Sequence, residues 1–355
     1  MNRHQHLYLM LPLCMILVSG FKSGSPVKNK NINVQSKVVH VPDQASPGES
    51  VKDFREEVEE NILPYWIMKT KDPVNGGFYG AISNKGKVNE QADRSMVLNS
   101  RILWTFSKAY QVFREEKYLL TARRAYRYLK EHFWDDEHGG FYWSVDYQGK
   151  AVDPSKQIYA EAFGIYSMAE YFKATGDKES LEKAKKTYRL MEKHSHDDKN
   201  GGYFEAFERD WTPSGDIRIG GKEMKTLKSM NTHLHVLEAY TNLYGVWRTD
   251  ELEKRIREMT GIFLEHIINR KNHHFHLYFN EEYEVLSEEI SYGHDIEGTW
   301  LLYEAAEALR DNKLKEQIRK VALNIADATL EEGMDPDGGL IYEASPEGVT
   351  NPVKS

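Results

Sequence analysis

Histidine, carboxylate and amide side chains recur near the starts of predicted helices in the second half of the chain. His294 and Glu297 lie three residues apart within residues 291–300, and Asn231 and His235 lie four residues apart upstream. Residues with either spacing share one face of a helix, so both members of each pair point the same way. An imidazole, whose usual pKa is about 6.5, takes up and returns protons near neutral pH. The two pairs therefore predict acid–base chemistry at two helix starts.

Two earlier segments carry polar or aromatic residues at corresponding places. Residues 99–104 contain Arg101 and Trp104, and residues 156–163 contain Tyr159 and Glu161. Each of the four segments lies near the start of a predicted helix. Because unrelated core residues would rarely align in this way, the four segments are expected to line one pocket.

Each of these residues also has a structural interpretation. Arginine forms buried ion pairs, aromatic side chains fill cores, and a carboxylate in a first helical turn interacts favourably with the helix dipole. A buried histidine can also have a purely structural role, in which its ring forms hydrogen bonds with backbone groups. These alternatives stay open for Arg101, Trp104, Tyr159, His235, His294 and Glu297. His233, which lies on another helix face from His235, is expected to be structural.

A glycine-rich turn recurs along the chain and defines a repeat. Each copy begins with aspartate and contains a glycine pair, usually followed by two aromatic residues. The copies are residues 72–80, 135–143, 197–205 and 335–343, with a degenerate copy at 270–279 that lacks the glycines. The spacing of about 62 residues between Gly76, Gly139 and Gly201 indicates a repeat architecture.

Pairs of helix patterns lie between these turns, with apolar residues recurring every three or four positions. The predicted helices are 51–69, 93–113, 116–133, 157–175, 178–194, 225–244, 250–269, 294–309 and 312–332. Repeated helical hairpins of this length predict an all-α fold, an (α/α)6 barrel or toroid. A complete toroid has twelve helices and this pattern gives about nine, so we expect a chain that is incomplete at its C-terminus.

The N-terminal residues differ in composition from the rest. Residues 7–18 form an apolar run too short to cross a bilayer, and small residues follow it. We therefore predict a signal peptide at 1–20, a disordered leader at 21–48, and a barrel domain at 49–355. The only cysteine, Cys14, lies in the apolar run, so the mature chain would contain no disulfide. An exported protein, periplasmic or secreted, is expected.

Charge and residue spacing argue against several kinds of partner. The net charge is −8 without a basic run, which gives no reason to expect nucleic acid. The aspartate–glycine turns do not have the spacing of an EF-hand calcium loop. A zinc site at His273, His274 and His276 is disfavoured, because alternating strand faces would separate the three side chains. We expect no metal, no cofactor and no membrane contact beyond the signal segment.

Four segments together resemble the cellobiose 2-epimerase family, part of the N-acylglucosamine 2-epimerase superfamily. They are N-S-R-I-L-W at 99–104, Y-A-E-A-F at 159–163, K-S-M-N-T-H-L-H-V-L-E-A-Y at 228–240, and S-Y-G-H-D-I-E-G-T-W at 291–300. The resemblance runs from about residue 50 to the end. It implies an (α/α)6 barrel that epimerises C2 of the reducing-end sugar of β-1,4-linked disaccharides such as cellobiose or mannobiose. It also implies a cis-enediolate intermediate, without metal or nucleotide.

The resemblance implies roles for individual residues. His294 matches one of the family's two acid/base histidines, His235 matches a histidine linked to ring opening, and Glu297 matches a carboxylate that orients a histidine or binds hydroxyls. The residues expected to bind the substrate are Arg101, Tyr159, Asn231 and Trp104. The family's second acid/base histidine belongs to a C-terminal segment, and nothing after Glu343 resembles it. This is a second reason to expect a truncated chain.

Two other functions stay open. A glycoside hydrolase on the same toroid would need two acids, about 6.5–9.5 Å apart for inversion, and Glu161 and Glu297 are the candidates. The other alternative is a sugar-binding remnant without catalysis. A disaccharide or oligosaccharide is the expected ligand in each hypothesis, and a monomer is the expected state.

Overall fold

A computed structural model describes residues 47–214, 218–219, 222–223, 227–336, 338–345 and 347–354. The chain divides into two compact units, Met1–Lys71 and Asp72–Ser355. The predicted signal segment lies outside the described residues, as does the predicted leader except for its last two residues. Among the described residues, none of the helices combines the length and apolar character needed to cross a membrane.

Ten α-helices and three π-helical segments make up most of the described chain. The α-helices are α1 Pro47–Glu56, α2 Leu63–Lys69, α3 Met96–Phe113, α4 Glu116–Tyr128, α5 Ile158–Thr175, α6 Lys178–His194, α7 Met230–Tyr244, α8 Asp250–Ile262, α9 Tyr292–Ala308 and α10 Asn312–Glu332. The π-helical segments are Glu57–Ile62, Leu129–Phe133 and Phe263–Ile267. Because Glu57–Ile62 joins α1 to α2, the described residues form nine continuous helical rods, as the sequence predicted.

Within the second unit the helices form two layers. Helix α3 packs against α5, α5 against α7, and α7 against α9, and each of these four also packs against the helix that follows it in the chain. The inner helix α5 is buried around most of its circumference, including Ile158, Phe163 and Tyr171. The outer helix α6 buries one stripe, which includes Ala184 and Met191. The predicted all-α barrel architecture, with its alternating inner and outer helices, is confirmed.

Short strands join the two ends of each repeat. The strands are β1 Ala81–Ile82, β2 Val88–Asn89, β3 Arg94–Ser95, β4 Ser144–Val145, β5 Ala151–Asp153, β6 Lys156–Gln157, β7 Ala206–Phe207, β8 Arg218–Ile219, β9 Lys222–Glu223, β10 Lys228–Ser229, β11 Tyr278–Phe279, β12 Ile341–Ser345 and β13 Gly348–Lys354. The strand before an inner helix pairs with the strand after the next outer helix, as in β3–β4, β6–β7 and β10–β11. A bridge between Ile290 and Ala344 takes the same place before α9.

These strands correct several predicted helix boundaries. The helices predicted from residues 93 and 225 begin instead at Met96 and Met230, because the preceding residues are held in strand pairs. Ser95 and Ser229 then cap α3 and α7 through their side-chain oxygens. The helix predicted from residue 294 begins earlier, at Tyr292.

The predicted glycine turns are present, and each is organised by its first residue. The Asp135 carboxylate accepts hydrogen bonds from the backbone N–H groups of Glu137 and His138. Gly139 has a φ of 74°, a left-handed conformation that favours glycine. In the degenerate copy His273 adopts the same conformation, with a φ of 62°.

In three of these turns, the aspartate forms an ion pair with a buried cationic side chain just before an inner helix. Lys156 Nζ lies 3.1 Å from Asp135 Oδ2, and Lys228 Nζ lies 2.7 Å from Asp197 Oδ2. Arg94 pairs with the aspartate of the first turn in the same way. Each cation belongs to the strand that leads directly into an inner helix. The starts of α3, α5 and α7, where the candidate residues lie, are therefore held in place.

Candidate active site

One position recurs at the candidate site in the four inner helices that the structure describes. It lies five residues after the first residue of the helix, about one and a half turns inside. Its occupants are Arg101 in α3, Phe163 in α5, His235 in α7 and Glu297 in α9. The predicted alignment of the four segments thus has a structural basis, because equivalent positions of neighbouring helices lie side by side.

The side chains from α3, α5 and α7 are in direct contact. The guanidinium carbon of Arg101 lies 4.4 Å from the centroid of the Phe163 ring, a cation–π contact. The His235 ring lies 4.6 Å from Phe163 and 5.1 Å from Tyr159, centroid to centroid. Burial raises the pKa of the Tyr159 hydroxyl, and Arg101 opposes that rise. Arg101, Tyr159 and His235 therefore form one cluster.

His235 also has a carboxylate partner on its own helix. A hydrogen bond of 2.8 Å joins His235 Nδ1 to Glu238 Oε2, and both side chains are buried. Burial lowers the pKa of His235 to about 4, while the charge of Glu297 opposes the change. The imidazole is therefore neutral near pH 7 and can accept a proton.

His294 lies in the first turn of α9. Its Nδ1 is hydrogen-bonded to Ser291 Oγ at 2.8 Å. Burial, together with the nearby His235, lowers the pKa of His294 to about 4. The imidazole is therefore neutral near pH 7 and can accept a proton, and the charge of Arg101 acts on it.

The structure places the charge of Glu297 near His235 and Tyr159. The hydrogen-bonding partner of His294 is Ser291, whereas the charge of Glu297 acts on His235 and Tyr159 of neighbouring helices. The carboxylate therefore faces the cluster and contributes negative charge there. Its orientation of His294 stays a prediction.

Asn231 of α7 and Trp104 of α3 carry buried polar atoms. Among the described residues, neither Asn231 Oδ1 nor Trp104 Nε1 has a hydrogen-bonding partner, although both atoms are buried. The Trp104 ring stacks on Tyr166, with centroids 5.0 Å apart and planes 12° apart. Trp104 is therefore partly a core aromatic, as the structural alternative held, with an indole N–H available to a ligand.

A second recurring position, nearer the start of the inner helices, carries side chains that accept hydrogen bonds from the turns. Three residues after the helix start, Glu161 accepts the backbone N–H of Phe141 at 2.8 Å, and Asp295 accepts that of Phe275 at 2.9 Å. His233 takes this place in α7, which confirms its expected structural role. Glu161 is thus engaged in supporting a turn, and a glycosidase acid at that position is not favoured.

The histidines of the degenerate turn have structural partners. His274 lies 2.7 Å from Asp295 through Nδ1 and 3.2 Å from Glu332 through Nε2. Across the described parts of the chain, no three His, Cys, Asp or Glu side chains are grouped to hold a metal ion. The expectation of a reaction without metal or cofactor stays a prediction.

Two residues near the histidines were not predicted from the sequence. Glu238 follows His235 by three residues, the same spacing that drew attention to His294 and Glu297, so the signal was present. Ser291 was visible only as part of a motif. Its hydrogen bond to His294 depends on the backbone conformation just before α9.

The two layers of alternating helices define an α/α-barrel protein. The neutral imidazoles, arginine and carboxylate at the starts of its inner helices equip it for proton transfer. The profile of the family described as N-acylglucosamine 2-epimerase (GlcNAc 2-epimerase) matches residues 77–353. The chain belongs to this family, so the family predicted from the motifs is confirmed.

Individual relatives agree with this assignment. The cellobiose 2-epimerase of Bacteroides fragilis is 44% identical over 292 residues, which cover 82% of this chain and 74% of the relative. The cellobiose 2-epimerase of Dictyoglomus turgidum is 38% identical over 288 residues, which cover 81% and 73%. The solved structure of cellobiose 2-epimerase from Bacillus thermoamylovorans has a TM-score of 0.80 at 37% identity, covering 84% of this chain and 76% of that one.

Proposed function

We propose that this protein is an isomerase that epimerises C2 of the reducing-end sugar of a β-1,4-linked disaccharide such as cellobiose. The relatives named cellobiose 2-epimerase support the substrate class. The observation that carries the proposal is the cluster of Arg101, His235, His294 and Glu297, which has the groups that the reaction requires.

The C2 proton becomes acidic only when the sugar ring is open and C1 is an aldehyde. His294 then removes this proton, and the electron pair forms a cis-enediolate across C1 and C2. Its lowered pKa keeps the imidazole neutral and ready to accept. Return of a proton to the opposite face of C2 gives the epimer, either from a second acid or after rotation of the intermediate past His294.

Arg101 supplies the fixed positive charge for this intermediate. The negative charge develops on the C1 oxygen, and a preorganised guanidinium in a site of low dielectric stabilises it more than water would. Contact with the Phe163 ring holds the guanidinium in place. The unoccupied hydrogen-bonding atoms of Asn231 and Trp104 would bind sugar hydroxyls.

The test is incorporation of solvent deuterium at C2. Cellobiose incubated with the protein in D2O should lose its C2 proton and yield an epimer with a mannose-type reducing end, both visible by proton NMR. Substitution His294→Ala should lower the exchange rate by about 10²-fold or more, since it removes the base.

His138→Ala is the matched control, because this side chain lies in a turn and pairs with Glu137. Its exchange rate should equal that of the parent protein. Unchanged exchange in His294→Ala would refute the assignment. Cleavage to monosaccharides would instead favour a glycoside hydrolase, and sugar binding without exchange would favour a non-catalytic sugar-binding protein.

A further inference from the structure

Glu238 is a buried carboxylate in direct contact with a candidate catalytic group. Its side chain is 4% exposed, and Oε2 lies 2.8 Å from His235 Nδ1. Both residues belong to α7, one helical turn apart. The carboxylate therefore affects whether His235 Nδ1 carries a proton.

The surroundings of the pair come from three other inner helices. Arg101 of α3 acts on both residues, and Tyr166 of α5 is hydrogen-bonded to Glu238. On α9, His294 and Glu297 interact electrostatically with His235, and Glu304 interacts with Glu238. Tyr159 of α5 completes the set beside the imidazole.

Stability gives no reason for a carboxylate at this place. A buried ionisable pair loses much of its attraction to desolvation, and apolar residues of similar volume are often at least as stabilising. The contact with His235 is therefore better explained by what it does to the imidazole. In a neutral histidine, the partner of one nitrogen decides whether the other donates or accepts a proton.

We propose that Glu238 is a positioning residue, which holds the proton of His235 on Nδ1 so that Nε2 meets the anomeric hydroxyl of the sugar as an acceptor. This inference rests on the proposed function, and it assigns the ring-opening step to the His235–Glu238 pair.

The ring opens through a single proton transfer between two oxygens on C1. His235 Nε2 takes the proton from the O1 hydroxyl, the C1–O1 bond becomes a carbonyl, and the C1–O5 bond breaks with its electron pair on O5. The imidazolium then gives the same proton to O5. The Glu238 carboxylate stabilises the transient positive charge on the ring, so no other reactant is needed.

The protonation state of Glu238 makes this step dependent on pH. Burial raises the pKa of Glu238 to about 7. Above that value the carboxylate accepts from Nδ1–H, and Nε2 is free to act as a base. Below it the protonated acid donates to Nδ1, the histidine proton moves to Nε2, and ring opening slows.

The experiment separates ring opening from proton transfer at C2. In the His294→Ala protein, enzyme-catalysed interconversion of the α and β anomers of cellobiose is measured by NMR exchange spectroscopy, with the uncatalysed rate subtracted. It should persist, because anomers interconvert through the open chain without loss of the C2 proton. Adding Glu238→Gln should lower this rate by about 10²-fold and abolish its rise near pH 7, with little change in KM.

Glu170→Gln is the matched control, because Glu170 is a buried inner-helix carboxylate paired with Lys108 and Lys173. This variant should keep the anomerisation rate and its pH profile. The parent protein also gives a readout independent of any variant's folding. Long-range proton–nitrogen NMR at pH 8 should show the His235 proton on Nδ1.

A His235 proton on Nε2 at pH 8, or an unchanged anomerisation rate and pH profile in the Glu238→Gln protein, would overturn the inference. The result for the proposed function is separate. C2 exchange that survives in His294→Ala refutes that function whatever Glu238 does to anomerisation.

Discussion

Glu161 illustrates how burial decides the role of a carboxylate. The sequence offered it as an acid for glycoside hydrolysis, whereas its Oε1 accepts the Phe141 N–H beneath the site. Burial raises its pKa to about 8. Because the ordinary value is 4.5, the native protein keeps this proton at pH values where the unfolded chain has lost it.

This difference predicts a specific pH dependence of stability. Between about pH 4.5 and 8 the native state binds more protons than the unfolded state, so the Glu161 contribution weakens as pH rises. The Glu161→Gln variant lacks this titration and keeps an acceptor for Phe141. Its free energy of unfolding relative to the parent should increase by ~2–4 kcal/mol from pH 5 to pH 8.

Denaturant unfolding at several pH values checks this prediction. A stability difference that stays constant with pH would show that Glu161 does not titrate in this range. Because the residue holds a turn, epimerisation by the variant should stay close to that of the parent at pH 7.

Several site residues could be predicted because helix spacing places them on one face. Arg101, His235 and Glu297 lie at corresponding places in three helices, so the sequence alone indicated their alignment. Glu238 was missed because a glutamate inside a helix is usually exposed, and only packing against three other helices shows that it is buried.

The short strands determine where the inner helices begin. A strand of two residues is too short to show a periodic pattern. The helices predicted from residues 93 and 225 therefore included residues that lie in strands. The helix ends beside polar turns were predicted closely, since apolar periodicity stops there. The strands β3, β6 and β10, which precede inner helices, have partners about 49 residues away that leave no local signal.

Lys228 should be a major contributor to stability. Its Nζ donates to Asp197 Oδ2, Gly201 O and Glu281 O at 2.7–2.9 Å. Lys228→Met would leave a buried carboxylate without its cation, at a cost of ~3–5 kcal/mol in the free energy of unfolding. The start of α7 would shift as well, so exchange at C2 should slow.

Lys199→Met is the control for that variant in the same turn. Lys199 is 70% exposed and lies 3.6 Å from Glu282, so its removal should cost no more than ~1 kcal/mol. Thermal and denaturant unfolding of both variants gives the comparison. Equal losses would mean that the buried cation has no special role.

The whole chain is expected to be exported. We propose that residues 1–20 direct secretion, on the grounds of the apolar run at 7–18 and the small residues Ser19 and Gly20. Expression of the full chain in a bacterial host should yield protein outside the cytoplasm with a new N-terminus near Gly20, as measured by intact mass. Ile16→Arg should leave uncleaved protein in the cytoplasm, whereas Asn31→Ser should not.

For the whole molecule, the sequence predicted the helices and the repeat more completely than it predicted the contacts within the candidate site. The nine helical rods of the described residues and the repeat of about 62 residues could be predicted from periodicity and glycine turns, because both are local signals. The pairing of distant strands and the contacts among Arg101, Tyr159 and His235 depend on how neighbouring repeats pack. Those contacts are long-range, and the repeat only indicates where to look for them.

The strand pairs that close each repeat also bear on the order of folding. Ser95–Ser144, Gln157–Ala206 and Ser229–Tyr278 enclose loops of equal length. The entropy lost on closing a loop depends on its length, so it is nearly the same for all three. None of these three repeats is favoured as a starting point by chain entropy. Folding can nucleate in whichever repeat packs best and spread to its neighbours, as it does in linear repeat proteins.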